Sequence, residues 1–212
     1  MKLQKISLAL TFALLTITPS FADSSTWTVD PMHSAARFTV KHMMISNVSG
    51  DFGKVTGEVK YDGKNLADAS VNATIDANSI DTREPKRDGH VKSPDFLDTV
   101  KFPTITFKST KVVPGKDGFD IQGNLTLHGV TKPVVLHAEP LSAAVKDGRG
   151  NLHIGTSATT KINRRDYGVN FSGLLDNGGA VVSDDVKVTI DIDLSRKVDT
   201  ASSETPTGKK SG

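Results

Sequence analysis

The chain alternates apolar and polar residues over many short segments, and the longest such run lies near its end. In "VKVTIDIDLS", residues 186–195, five apolar side chains alternate with Lys, Thr, Asp, Asp and Ser. A period of two puts the apolar side chains on one face of a β-strand, whereas a helix would distribute them around its axis. This segment therefore predicts a strand with one buried face and one solvated face.

The same alternation recurs upstream of this run. The further segments are "ARFTVKH", "KVTGEVKYD", "ASVNATID", "TITFKS", "GFDIQGNLTLHG", "VVLHA" and "LHIGTSATTKI". Short connections between consecutive strands favour antiparallel pairing, and many one-sided strands bury their apolar faces in a barrel or a sandwich. The pattern predicts an all-β protein of about eight antiparallel strands and disfavours an α/β fold.

One stretch, residues 77–102, interrupts the strand pattern. Within it, Ser93-Pro94 is typical of a helix N-cap followed by proline at the first helical position. Residues 84–91 are compatible with another short helical turn. We therefore expect a short helical segment near residues 84–98, lying across the sheet or the barrel mouth.

The two ends differ in composition from the rest of the chain. Residues 1–22 combine Lys2 and Lys5, an apolar run and a Ser20-Phe21-Ala22 cleavage pattern, which predicts a signal peptide cleaved after Ala22. Residues 197–212 contain one Val and no larger apolar residue, which predicts a disordered tail. One domain remains, from about residue 25 to residue 196.

Charge and cysteine content exclude several classes of function. Lys2 and Lys5 account for the formal net charge of +2, so the exported chain would be neutral, and nothing favours nucleic acid as a partner. The chain has no Cys, which excludes disulfides, thiol catalysis and Cys-ligated metal. Beyond the signal peptide no stretch is apolar enough to span a bilayer, so we do not expect an integral membrane protein.

The segment "RDGHVKSPDFLD", residues 87–98, carries six titratable side chains in twelve positions. It raises the hypothesis of a hydrolase using Asp88, His90 and Asp95. Asp88 and His90 are two positions apart and would not share a helix face, and no common hydrolase or zinc-protease motif occurs. None of the six His residues is spaced as a metal-binding pair. We therefore predict neither catalysis nor a bound metal.

Four stretches resemble the YceI-like family of bacterial periplasmic proteins. They are "WTVDPMHSAARFTVKH", "RDGHVKSPDFLDTVKFPTITFKS", "GNLTLHGVTKPVVL" and "INRRDYG", in the family's order, and the resemblance covers about residues 26 to 195. It implies an extended lipocalin-like barrel whose tunnel holds a long-chain isoprenoid, an isoprenoid-quinone-like lipid or a similar amphiphile, and no cofactor. It also implies a periplasmic carrier without catalytic activity, and a homodimer as a common state.

The family resemblance supplies no ligand-contact motif, so the candidate ligand-binding residues follow from strand phase. The apolar tunnel is predicted to be lined by Phe38, Val40, Ile75, Phe107, Leu125, Leu127, Leu136 and Ile154. The candidates for its mouth are Met43, Met44, Phe96 and Leu97, and those for a headgroup site are His42, Arg87 and His90. Two alternatives stay open: the hydrolase, and a packed barrel that acts through its surface.

Overall fold

A computed structural model describes residues 25–175 and 178–198. Within these residues the strands are β1 Thr26–Val29, β2 Ala35–His42, β3 Ser46–Phe52, β4 Val55–Lys60, β5 Ser70–Asp76, β6 Ile80–Asp81, β7 Thr104–Pro114, β8 Phe119–Leu127, β9 Val130–Ala138, β10 Val145–Lys146, β11 Asn151–Asn163 and β12 Asp185–Lys197. The helix α1 is Pro85–Lys92, and single 3₁₀ turns cover Leu66–Asp68, Ala77–Ser79 and Arg164–Tyr167. The predicted signal peptide and residues 199–212 of the predicted tail lie outside the described residues.

Eight strands close into an antiparallel barrel, which confirms the predicted fold class. Around the ring their order is β1, β4, β5, β7, β8, β9, β11 and β12, and β12 pairs with β1 to complete it. The closing hairpin β11–β12 is in register over its whole length, from Asn151↔Lys197 to Asn163↔Asp185. Alternation therefore puts a continuous apolar face of β12 inside the barrel, whereas on β11 Thr156 and Thr160 share the inner face with apolar side chains.

The barrel is extended at one end by strands that continue the wall beyond β1. Strand β12 pairs with β1 near its C-terminal end and with β2 nearer its start, and β2 continues into β3 and β6. The β2–β3 turn and the start of β12 lie at this end. We call it the α1 end, because β6 pairs with β3 there and is followed in the chain by helix α1. The opposite end carries β10 and Trp27, whose indole N–H donates to the carbonyl of Tyr61 at 3.2 Å.

The helix lies where the strand pattern breaks, but its boundaries differ from the detailed prediction. It starts at Pro85, with the Glu84 carboxylate accepting from the N–H of Lys86 and of Arg87, and it ends at Lys92. Ser93 is its C-cap and Pro94 follows in a turn, so the predicted helix start at Ser93-Pro94 is wrong. The physical reason is that Glu84-Pro85 supplies the same N-cap and first-turn proline at an earlier point in the chain.

Buried apolar side chains form two clusters along the barrel. One includes Trp27, Val55 and Leu194 and extends to Val91 and Leu97 of the helical segment, and the other includes Phe107, Val112 and Ile121. Many inward residues between them are only partly buried, which indicates unfilled space inside the barrel. None of the helices in the described residues is long and apolar enough to cross a membrane.

Candidate functional site: an apolar cavity with a basic end

The barrel encloses a cavity of about 560 Å³ whose wall is almost entirely apolar. All eight residues assigned to the tunnel from strand phase line it: Phe38, Val40, Ile75, Phe107, Leu125, Leu127, Leu136 and Ile154. Small-molecule sites in proteins have volumes of this order and are lined mostly by apolar side chains. The period-two pattern therefore led to the correct face of each strand, whereas the ligand-binding role of these residues stays a prediction.

The titratable side chains that line the cavity include no carboxylate. They are Arg37, His42, Tyr61, Arg87, His90 and Arg164, and no Asp, Glu or Lys lines the cavity in the described part of the chain. His42, Arg87 and His90 belong to the elements that form the α1 end. Basic groups are thus concentrated at the α1 end of a cavity whose wall is mostly apolar, which matches an amphiphile.

The mouth candidates divide into two groups. Phe96 and Leu97, in the turn after α1, line the cavity, whereas Met43 and Met44 are absent from its wall and lie exposed in the turn between β2 and β3. Phe96 stacks on Phe171 at a centroid distance of 4.6 Å, and His90 meets both rings edge-on, at 5.0 Å and 5.2 Å. This aromatic cluster forms the wall where the helical segment meets Phe171.

Residues 169–171 and 181–182 contribute to the wall although the sequence prediction did not include them. Val169, Phe171, Val181 and Val182 line the cavity. The sequence did indicate that this loop is partly buried. It contains several apolar residues, and Phe171 has no charged residue on either side, which is unusual for an exposed loop. The segment lacks a period of two, so strand phase could not assign it.

Arg164 fastens this loop to the end of β11. Its side chain is 6 % exposed and donates to the carbonyls of Ser183 at 3.0 Å and Val169 at 2.7 Å, and to Asp184 Oδ1 at 2.8 Å. Burial lowers the pKa of the guanidinium from its usual value, and the adjacent Asp184 opposes that effect. The Arg-Arg pair in "INRRDYG" therefore has a structural role, since three donors of Arg164 satisfy groups of the loop.

Helix α1 is held beside the cavity by Thr82, which is 3 % exposed. The hydroxyl of Thr82 donates to Asp88 Oδ1 at 2.5 Å and accepts from Arg87 Nε at 2.9 Å, and its carbonyl accepts from Arg87 Nη2 at 2.8 Å. These bonds turn Arg87 back towards the barrel, where it lines the cavity. The hydrogen bond from Thr82 holds the pKa of Asp88 below its usual value of 3.8.

This anchor predicts an acid-sensitive contribution to stability. A carboxyl whose pKa is lowered by folding stabilises the native state above its unfolded pKa, and that contribution is lost as the pH falls through the lowered value. We expect Asp88→Asn to reduce the free energy of unfolding by about 1 kcal/mol at pH 7. The difference from wild type should shrink progressively below about pH 3.8. Denaturant unfolding across this pH range measures it, with Asp117→Asn on an exposed hairpin turn as control; a pH-independent difference would contradict the prediction.

The hydrolase hypothesis requires Asp88, His90 and Asp95 to converge, and the structure places them in two separate arrangements. Asp88 accepts from the backbone N–H and the hydroxyl of Thr82, whereas His90 Nε2 pairs with Asp95 Oδ2 at 3.0 Å. His90 and Asp95 are both largely exposed, at 45 % and 63 % of the side chain. The geometry thus holds a helix in place and does not form a nucleophile–base–orienter chain.

One group of possible metal ligands lies outside the cavity. In the described residues, Asp30, His153 and Asp193 each offer an atom within 4.8 Å of the others. His153 Nδ1 is 2.8 Å from Asp193 Oδ1, and this hydrogen bond raises the pKa of His153. Their chain neighbours Val29, Ile154 and Leu194 line the cavity, so these three side chains are on the outer face of the barrel. The expectation of a metal-free protein stays a prediction.

Comparison with known proteins agrees with this architecture. The family model described as "YceI-like domain" matches residues 27–194. A protein named YceI from Salmonella agona is 38 % identical over 169 residues, which cover 79 % of this chain and 88 % of the relative. The crystal structure of Burkholderia cenocepacia BcnA superposes with a TM-score of 0.65 at 24 % identity, covering 78 % of this chain and 98 % of BcnA. A domain from Saccharophagus degradans, described as a polyisoprenoid-binding domain, has a TM-score of 0.55 at 18 % identity, covering 79 % and 97 %.

Proposed function

The chain belongs to the YceI-like family, and on that premise we propose that it is a binding or carrier protein for a long-chain isoprenoid or similar amphiphilic lipid. The observation that carries the proposal is the cavity of about 560 Å³ with an apolar wall and basic groups near one end. The description of the Saccharophagus degradans domain supports the ligand class. A filled barrel acting only through its surface would not retain such a volume.

The ligand's alkyl chain would occupy the apolar part of the cavity and its headgroup the α1 end. Each buried CH₂ group contributes about 0.8 kcal/mol, so a long chain can bind tightly without a polar contact. Arg87, held by Thr82, and His90, held by Asp95, are positioned to contact a polar or anionic headgroup, with His42 on the neighbouring strand. The signal peptide predicted in residues 1–22 supports export, so we propose that the protein acts in the periplasm.

Extraction of the purified protein tests this proposal directly. The full-length precursor is expressed, the periplasmic fraction is purified, and an organic extract is analysed by mass spectrometry. We expect a mature chain starting after Ala22 and about one long-chain amphiphile per chain, because the apolar lining residues surround one continuous cavity of about 560 Å³. A chain that carries no lipid, and that after delipidation binds no added polyprenyl lipid, would refute the carrier function.

A further inference from the structure

The turn between β2 and β3 exposes three consecutive apolar side chains. Met43, Met44 and Ile45 are 39 %, 59 % and 77 % exposed, and we call these three residues the apolar tip. Met43 and Met44 have φ values of 51° and 61°, in the left-handed region that large side chains rarely adopt. A sequence selected only for a tight turn would place Gly or Asn there. The turn therefore exposes apolar side chains to water even though Met43 and Met44 must adopt an unfavourable backbone conformation to do so.

The apolar tip adjoins the α1 end of the cavity. His42, directly before it, lines the cavity, and the backbone N–H of Met43 donates to the carbonyl of Val181 at 2.8 Å. Val181 is itself on the cavity wall, and its N–H donates to the carbonyl of Gly173 at 2.9 Å. Leu174, next to Gly173, is 73 % exposed. A second exposed apolar side chain thus stands on the loop that is hydrogen-bonded to the tip.

The charges flanking the tip suit a lipid surface. Between Phe38 and Gly50 the sequence carries Lys41 and His42 and no acidic residue. Lys41 is exposed, so a positive charge lies beside the apolar side chains. Apolar side chains with a neighbouring basic residue are the composition of segments that insert into the interface of a bilayer containing anionic lipid.

We propose that the apolar tip, with Leu174, docks the protein on a lipid bilayer. Docking in this orientation brings the end of the cavity that carries His42 and Arg87 against the membrane. A lipid passing between bilayer and cavity would then travel along the shortest apolar path instead of crossing water. The purpose of the docking rests on the proposed lipid-binding function, but the docking itself is measured independently of it.

Vesicle flotation tests the proposal with a matched pair of double variants. The full mature chain is floated with vesicles of phosphatidylethanolamine containing phosphatidylglycerol as the minor component. The tip variant is M44S/I45S. The control is M32S/V145S, which removes two comparably exposed apolar side chains, 85 % and 63 % exposed, away from the tip: Val145 is at the opposite end of the barrel, and Met32 is in the turn between β1 and β2, beside the middle of β12. We expect the tip variant to lose at least about tenfold in vesicle partitioning, and the control to match wild type.

A fluorescent variant keeps the test decisive if the serine substitutions disturb folding. The chain has one Trp, Trp27, which is 3 % exposed, so its emission should not respond to vesicles. Ile45→Trp should add an emission that shifts to the blue when vesicles are added. Absence of that shift, or equal flotation of the tip and control variants, would overturn the proposal.

Two parallel measurements separate the other outcomes. Mass spectrometry of bound lipid reports on the proposed carrier function, so an empty protein that still floats through its tip would refute the carrier but support docking. Light scattering reports on self-association. If M44S/I45S turned a dimer into a monomer without changing vesicle partitioning, the tip would be a contact between two copies, and the membrane proposal would be wrong.

Discussion

Replacing Leu127 by Trp is expected to remove most of the bound lipid while leaving the empty barrel folded. Leu127 is on the wall of the cavity at the C-terminal end of β8 and is only partly buried. The added ring would take the space of about three CH₂ groups of a ligand. At about 0.8 kcal/mol per CH₂ this corresponds to about 2.4 kcal/mol, or a loss of roughly 50-fold in affinity. Mass spectrometry of extracted lipid and titration of delipidated protein with a polyprenyl lipid measure the loss.

The adjacent Thr126→Trp variant is the matched control. Thr126 faces outward, where its hydroxyl is 2.8 Å from that of Thr131 on β9, so a Trp there enters solvent. It should retain wild-type lipid content. If the interior were already filled, Leu127→Trp would overpack it and cost roughly 1–3 kcal/mol of stability. Destabilisation of the delipidated Leu127→Trp protein, with no change in lipid, would therefore favour the packed-barrel alternative.

Arg164→Ala is expected to be strongly destabilising, lowering the free energy of unfolding by about 3 kcal/mol. The substitution leaves the carbonyls of Val169 and Ser183 without this donor and removes one partner of Asp184. Because the guanidinium is buried, solvent can replace these bonds only if the loop opens. Chemical denaturation monitored by the single Trp, Trp27, and by circular dichroism would give the difference in free energy.

Arg165→Ala provides the comparison that isolates burial from charge. Arg165 Nε is 2.7 Å from the same Asp184 oxygen, but its side chain is 40 % exposed. Exposed ion pairs contribute about 0 to 1 kcal/mol, so this variant should stay within about 1 kcal/mol of wild type. Equal destabilisation by the two variants would show that the contribution comes from the charge at Asp184 and not from the buried hydrogen bonds.

The short strands show where sequence reasoning failed and why. Strand β3, "SNVSGDF", was not predicted, because its polar residues and Gly50 hide the alternation. Gly50 is required there by a neighbour, since a Cβ atom would lie 2.6 Å from the ring of Phe38. The two-residue strands β6 and β10 are too short to have a period at all. Each exists because a longer strand beside it offers unpaired backbone groups.

The sequence by itself determined the class of fold and the inner face of its long strands. The alternation in β12 and β8 can be recognised from neighbouring residues alone, and it puts the apolar side chains on one face of each strand. Because that face must be buried, Leu125 and Leu127 could be assigned to the interior from their strand phase. The helix could be located because a strand pattern was missing there.

Only the tertiary structure decided how the cavity ends are built. Thr82 and Arg87 meet, and Arg164 reaches Val169 and Ser183, through turns that have no repeating pattern. Whether inward side chains fill the barrel or leave a cavity depends on the spacing of strands far apart in sequence, such as the distance across the barrel between β5 and β12. The order of side chains along the chain contains no such distance, because volume inside a closed sheet is set by strand number and stagger together with side-chain size.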